Sequence, residues 1–290
     1  MRSQTLLTLA GAAGLLVGVV PARAAPVSVP PGYALVWSDE FNRDGPPDPA
    51  RWTFEHGFVR NGEMQWYQPD NARVKNGRLI IEARHEARPN PLFGSAAAKP
   101  PFRQRAAIQY TSASVTTKGL ANWTYGRFEI RARITAEQGL WPALWFVGQD
   151  GRWPAGGEID LMEYYQQRIL ANFAWPSGVP GKPVWKSARV PVADLAGNPN
   201  WDSTFHLWTM DWDAHGISLQ LDGAVINRID LATIDASLPK GAANPFRRPQ
   251  YLIINLALGG QRGGPLKDTR FPSRFEVDYV RVYQRKEANR

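Results

Sequence analysis

The sequence predicts an all-β fold, a jelly-roll β-sandwich of two curved antiparallel sheets. Three observations carry that prediction. Short segments alternate apolar and polar residues with period two, Asn-Gly and Asp-Gly pairs mark turns between them, and helical periodicity is weak throughout. From Tyr33 onward no linker and no repeat interrupts the pattern, so residues 25–290 are expected to form one domain.

Taken in order, the chain opens with an expected secretory leader, residues 1–24. Arg2 supplies its positive end, Leu6 to Val20 its apolar run, and Ala22-Arg23-Ala24 the small residues for cleavage after Ala24. The run is short for a membrane span, which needs about 20 residues; retention as an anchor is the alternative. Residues 26–32 are a Pro-rich entry. Arg78–Arg84 is a strand entered through an Asn76-Gly77 turn. Arg88 to Lys99, with its Pro, Asn and Gly, reads as a loop inside the domain. Tyr125–Ile134 is a strand with one wet face, in which Phe128, Ile130, Ala132 and Ile134 alternate with Arg127, Glu129, Arg131 and Arg133. Pro176–Asn200 reads as irregular. Ile217–Leu221 and Ala224–Ile229 flank the hairpin signal Asp222-Gly223, and Leu231–Leu238 allows a short helical turn. Tyr251–Leu258 and Phe275–Tyr283 are two further strands.

Composition narrows the function classes. With 43% hydrophobic and 21% charged residues, the chain is not a disordered polymer. Cys is absent, which excludes a disulfide framework and a zinc ribbon and fits an exported domain whose core stands alone. The formal net charge is +8, and loss of Arg2 and Arg23 with the leader leaves 8 − 2 = +6. These charges are scattered and no nucleic-acid-binding motif accompanies them, so a soluble surface is expected rather than a nucleic-acid partner. A monomer is expected, periplasmic or extracellular and free of the membrane after cleavage. The 12 Trp, 12 Phe and 9 Tyr are the unusual figures. Aromatic excess in an exported protein suggests sugar stacking, shared with core packing.

The segment that carries chemistry is Gly157-Glu158-Ile159-Asp160-Leu161-Met162-Glu163-Tyr164. On a regular strand Glu158 and Asp160 share a face, and Glu163, five positions from Glu158, falls on the other. A β-bulge near Leu161-Met162 brings it back. No Arg or Lys is interleaved to neutralise three acids on one face. In a cleft they make chemical sense: cleavage of a glycosidic bond with retention needs a nucleophilic carboxylate and a carboxylic acid about 5–5.5 Å apart. Four strand steps span about 13 Å, so the strand must bend and the side chains must lean together. Trp141, Trp145 and Trp153 lie upstream, and Tyr164, Tyr165 and Trp175 downstream, as candidate platforms for sugar rings.

The motif Glu158-x-Asp160-x-x-Glu163, preceded by Trp141-Pro142-Ala143 and Trp153-Pro154, resembles the active-site signature of glycoside hydrolase family 16, in the laminarinase, agarase and carrageenase branch. Val36–Phe41 and Asn61–Tyr67 resemble the family's opening, Tyr110–Ala113 and Tyr125–Arg127 its middle, Asn255–Gly260 and Val277–Tyr283 its close. The resemblance implies a concanavalin-A-like jelly roll and a retaining double displacement. It makes Glu158 the nucleophile, Glu163 the general acid and then base, and Asp160 the residue that orients the nucleophile. It makes Trp141, Trp145 and Trp153 subsite walls and Asn61 and Glu63 glycone contacts, with Tyr164 and Trp175 as further substrate-binding candidates. No cofactor is implied beyond a structural calcium near Glu40, the Gly77 carbonyl and Asp278.

One departure concerns the strand after the motif. Laminarinases often carry a His there, and this chain has Trp175 at about that place. His56, His85, His206 and His215 show no metal spacing. The expected activity is an exported endo-acting β-glycan hydrolase on β-1,3-glucan or mixed-linkage β-1,3/1,4-glucan. A galactan hydrolase of the agarase or carrageenase kind is the second reading, with Arg103 and Arg105 as cations for a sulfated chain. A non-catalytic carbohydrate-binding sandwich is the third, although such a relative should lose a Glu of the motif. Transglycosylation shares the intermediate, so the acids do not separate it from hydrolysis.

Overall fold

The computed structural model describes residues 27–95, 104–150, 152–195 and 201–286, so the leader expected at 1–24 lies outside the described residues. In the first part of the chain the strands are β1 (Tyr33–Asp39), β2 (Thr53–Phe54), β3 (Gln65–Tyr67), β4 (Ala72–Val74), β5 (Leu79–Pro89), β6 (Ala107–Ser112) and β7 (Ser114–Thr116). The centre holds β8 (Gly126–Ile134), β9 (Leu140–Gly148), β10 (Glu158–Tyr165), β11 (Arg168–Pro176) and β12 (Pro183–Pro191). After the short helix α1 (Val192–Leu195) come β13 (His206–Trp212), β14 (Gly216–Leu221), β15 (Ala224–Asp230), the helix α2 (Leu231–Ser237), β16 (Gln250–Leu258), the single turn α3 (Gly260–Gly263) and β17 (Ser273–Arg285).

These strands make two sheets, as a jelly-roll sandwich requires. One has ten strands in the order β15-β14-β13-β8-β17-β5-β6-β3, with β1 on β17 and β4 on β5. The other has seven, β12-β11-β10-β9-β16-β7-β2. Every pairing is antiparallel except β3 with β6. The inner faces enclose one core, where Phe128 of β8 meets Phe146 of β9 edge-to-face at 5.1 Å. The period-two pattern of β8 explains its placement. Its apolar residues are buried, and its charged face is neutralised across the sheet: Arg127 bonds Asp211 directly opposite on β13, and Arg133 bonds Glu276 directly opposite on β17.

The turn signals hold. Asn76-Gly77 and Asp222-Gly223 both take the left-handed conformation that a two-residue hairpin turn needs, and α2 covers the expected helical turn. Two expectations change. The strand expected at Arg78–Arg84 runs on to Pro89, into the start of the expected loop; residues 96–103 lie outside the described residues. The stretch expected to be irregular, Pro176–Asn200, contains the nine-residue strand β12. Its prolines sit at the strand's ends, on the edge of the sheet, where a missing backbone N–H costs nothing.

Candidate active site

The outer face of the seven-stranded sheet carries a cleft of about 770 Å³. Strand register builds its floor in rows. Glu158 lies between Val147 of β9 and Ala174 of β11, and the row continues to Tyr251 of β16 and Trp185 of β12. Asp160 lies between Trp145 and Asn172, with Ile253 and Ser187 beyond. Glu163 lies between Ala143 and Leu170, with Asn255 and Arg189 beyond.

The expected bulge is present. Register shifts between Asp160 and Glu163 against β11 and between Asp160 and Met162 against β9. Leu161 and Met162 are both buried in the core, and Glu163 returns to the cleft beside Glu158 and Asp160. Asn172 Nδ2 closes the group, donating to Asp160 Oδ2 at 3.0 Å and to Glu163 Oε2 at 2.8 Å.

Neutral donors, not cations, hold the two outer carboxyls. Trp153 Nε1 donates to Glu158 Oε2 at 2.6 Å, and Trp141 Nε1 donates to Glu163 Oε1 at 2.8 Å. Burial pushes the Glu163 carboxyl up to about 7; the Trp141 bond opposes this and the neighbouring Glu158 charge adds to it. Burial holds the Asp160 carboxyl well above its usual range, and the charges of Glu163 and Glu158 add to this. Glu158 is raised by its own burial but drawn down by the Trp153 and Asp160 bonds and by the Arg60 charge. The arrangement can supply an anion at Glu158 and a proton at Glu163, two unlike states in one cleft.

The other expected site residues divide. Asn61, Glu63, Trp141, Trp145 and Trp153 line the cleft. Glu63 is buried and accepts from Gln65 at 2.7 Å and from Tyr67 at 3.4 Å; Tyr67 accepts from Asn255, which accepts from Trp145 Nε1 at 2.7 Å. The cleft's end is thus tied to the sheet by a buried polar chain. Trp145 is less open than expected, because the Arg60 guanidinium lies over its ring at 4.9 Å. Two expectations fail. Tyr164 is fully buried in the core, because the bulge that returns Glu163 to the cleft turns Tyr164 inward and leaves Tyr165 on the cleft face. Trp175 is also a core residue, 7% exposed against Phe246. On β11 the cleft face belongs to Asn172 and Ala174, one residue out of step.

Sequence reasoning missed Arg60, Asn172, Trp185, Arg189 and Arg262, all in the cleft lining. Asn172 follows from hairpin counting, yet the turn between β10 and β11 is Gln166-Gln167, which carries no Gly or Asn to announce it. Arg105 donates to the backbone carbonyls of Glu63 and Gly62 at 2.6 and 2.8 Å, so it braces the cleft's end instead of facing a polymer. Arg103 lies outside the described residues.

No group of three or more His, Asp or Glu is disposed to hold a metal among the described residues. Of the calcium candidates, Gly77 sits in its hairpin turn, Glu40 accepts from Arg281 at 2.8 and 2.7 Å, and Asp278 accepts from Arg131 at 2.6 Å. Arg281 thus occupies both oxygens of Glu40 and Arg131 one oxygen of Asp278, so a cation there would compete with a guanidinium at each carboxylate.

Comparison with known proteins agrees with this geometry. The profile described as Glycosyl hydrolases family 16 matches residues 62–281. A "Beta-glucanase" of Rhodothermus marinus is 36% identical over 272 residues, covering 88% of this chain and 86% of its own length. The catalytic domain of an endo-1,3-beta-glucanase (laminarinase) from Thermotoga petrophila superposes with a TM-score of 0.72 at 32% identity, over 88% of this chain and 98% of that one. A chain solved in work on endo-acting O-glycanases that initiate mucin breakdown, expressed by prominent members of the human gut microbiota, superposes with a TM-score of 0.80 at 34% identity, over 91% and 95%.

Proposed function

The chain belongs to glycosyl hydrolase family 16, and on that premise we propose that it is an endo-acting β-glucanase that cleaves β-1,3- or mixed β-1,3/1,4-linked chains with retention. The observation that carries the reading is the bulged strand β10, which turns Glu158, Asp160 and Glu163 to one cleft with an acid held near pH 7 at Glu163. In this reading Glu158 attacks the anomeric carbon while Glu163 gives its proton to the departing glycosidic oxygen. Glu163 then takes a proton from water, which attacks the glycosyl–Glu158 ester and releases the sugar. Asp160 and Asn172 hold the two carboxyls in register. Trp153 and Trp185, 48% and 45% exposed with ring centroids 6.4 Å apart, offer sugar-facing rings beside Glu158.

The substrate name rests on the glucanase relatives, and the O-glycanase neighbour supports a second reading, a mucin O-glycan. Reducing-end release on laminarin, barley mixed-linkage glucan, agarose, carrageenan, xyloglucan and mucin O-glycans separates them. Release on one polymer, lost in Glu158→Gln and falling ~10²–10⁴-fold in Glu163→Gln, is the expected result. Silence on every polymer with binding retained would return weight to a carbohydrate-binding sandwich. Export is part of the proposal: the secreted protein should begin at Ala25.

A further inference from the structure

We propose that Arg189 and Arg262 form a recognition site for an anionic substituent, a sulfate ester or a carboxylate, on the sugar unit that lies against Tyr165. The proposal rests on the glycanase reading above and adds what that reading lacks, the chemistry of a substituent.

Register places Arg189 on the same cleft row as Glu163, two strands away across β11. At about 4.8 Å per strand this is about 10 Å of backbone separation, within reach of a long side chain leaning inward. Arg262 comes from α3 on the opposite side. Its backbone carbonyl accepts from Gln166 Nε2 at 3.1 Å, so α3 is fastened to the β10–β11 turn, next to Tyr165. Both arginines line the cleft and both side chains are exposed to it. Both guanidiniums lie close enough to Tyr165 to draw its ionisation down, against burial and the Glu163 charge, which together push it up to about 12.

On the ten-stranded sheet Arg73 and Arg274 pair with Glu82, Arg127 with Asp211, Arg131 with Asp278 and Arg133 with Glu276, whereas Arg88, Arg168 and Arg228, outside the cleft, have no carboxylate within ion-pair distance among the described residues. Arg60, also in the cleft, pairs with Glu55. Arg189 and Arg262 have no carboxylate within ion-pair distance among the described residues, although Glu163 shares their cleft. Two unpaired guanidiniums brought to the cleft near Tyr165 from two elements, β12 and α3, supply forked donors for the oxygens of an anionic group. A neutral glucan offers them hydroxyl acceptors but no countercharge.

The test compares kcat/KM on neutral laminarin with kcat/KM on laminarin sulfate and on carboxymethyl-laminarin of low substitution, for the wild type, R189Q, R262Q and the double variant. Both residues are exposed, so the variants should fold. The expected result is a charged-to-neutral ratio that falls at least ~10-fold in the double variant, as for loss of a charge-assisted bond, and that shrinks in the wild type as salt is added. The polymer showing the larger fall identifies sulfate or carboxylate. A ratio equal in wild type and double variant overturns the proposal. If the wild type cleaves neither the neutral nor the charged laminarins, the glucan reading fails by itself. The same variants on keratan sulfate and its desulfated form then decide the arginine pair, with an unchanged ratio again overturning it.

Discussion

At the scale of single residues, the cleft sets the states of its acids by burial and moderates them with neutral donors. Glu163, near 7, fits a general acid that must hold a proton at working pH. The alkaline limb of kcat/KM should therefore fall through about pH 7 and belong to Glu163. An activated aryl glycoside, whose leaving group needs no proton, should lack that dependence in its first step. The Trp153 indole bond to Glu158 gives a second prediction. It favours the carboxylate, so Trp153→Phe should raise the Glu158 pKa and move the acidic limb upward by about one unit, with the stacking ring retained. An acidic limb at its wild-type place would show that the indole N–H does not tune the nucleophile.

The decisive element is β10. Its alternation of acid and apolar residue was legible, and so was the need for a bulge. The inward place of Tyr164 follows from that same bulge, which reverses the facing of every residue after it. Trp175 on β11 was not legible: which face a strand residue takes depends on register with its neighbour, and that register is set by a turn with no signal residues. Removing Met162 should restore plain alternation and still leave Glu163 on the cleft face, because Glu158, Asp160 and Glu163 then stand two residues apart and Tyr164 stays inward. We expect turnover to survive and a destabilisation of roughly 2–5 kcal/mol from the lost core side chain, read by chemical denaturation. A folded deletion variant without turnover would mean that the bulge itself, and not only the shared face, sets the acids in register. At α3 the fit is similarly tight. Gly260 has φ +68°, and a Cβ there would lie 2.9 Å from the Asn61 carbonyl oxygen, so α3 packs backbone to backbone on the cleft's end.

For the whole molecule, folding must bury acids whose charged forms burial disfavours. Glu163 binds its proton more tightly folded than unfolded, because its pKa rises from 4.5 to about 7. Its contribution is present in full below about pH 4.5 and is lost as pH rises through about 7. The amount is on the order of 3 kcal/mol, a large share of a domain's usual margin. Glu163→Gln should flatten the stability profile between those limits and melt above the wild type at pH 8. A Glu163→Gln profile that keeps the wild-type slope would remove Glu163 as its source. The sequence by itself determined the sandwich, the turns at Asn76-Gly77 and Asp222-Gly223, and the shared face of Glu158, Asp160 and Glu163, because periodicity, turn chemistry and a six-residue spacing are local. The tertiary structure alone decided that Asn172 bridges two acids, that Trp185 and Arg189 reach the cleft from an edge strand, and that Trp175 belongs to the core. Those outcomes depend on register between strands and on which side chains share a face, quantities that exist only once the sheets have paired.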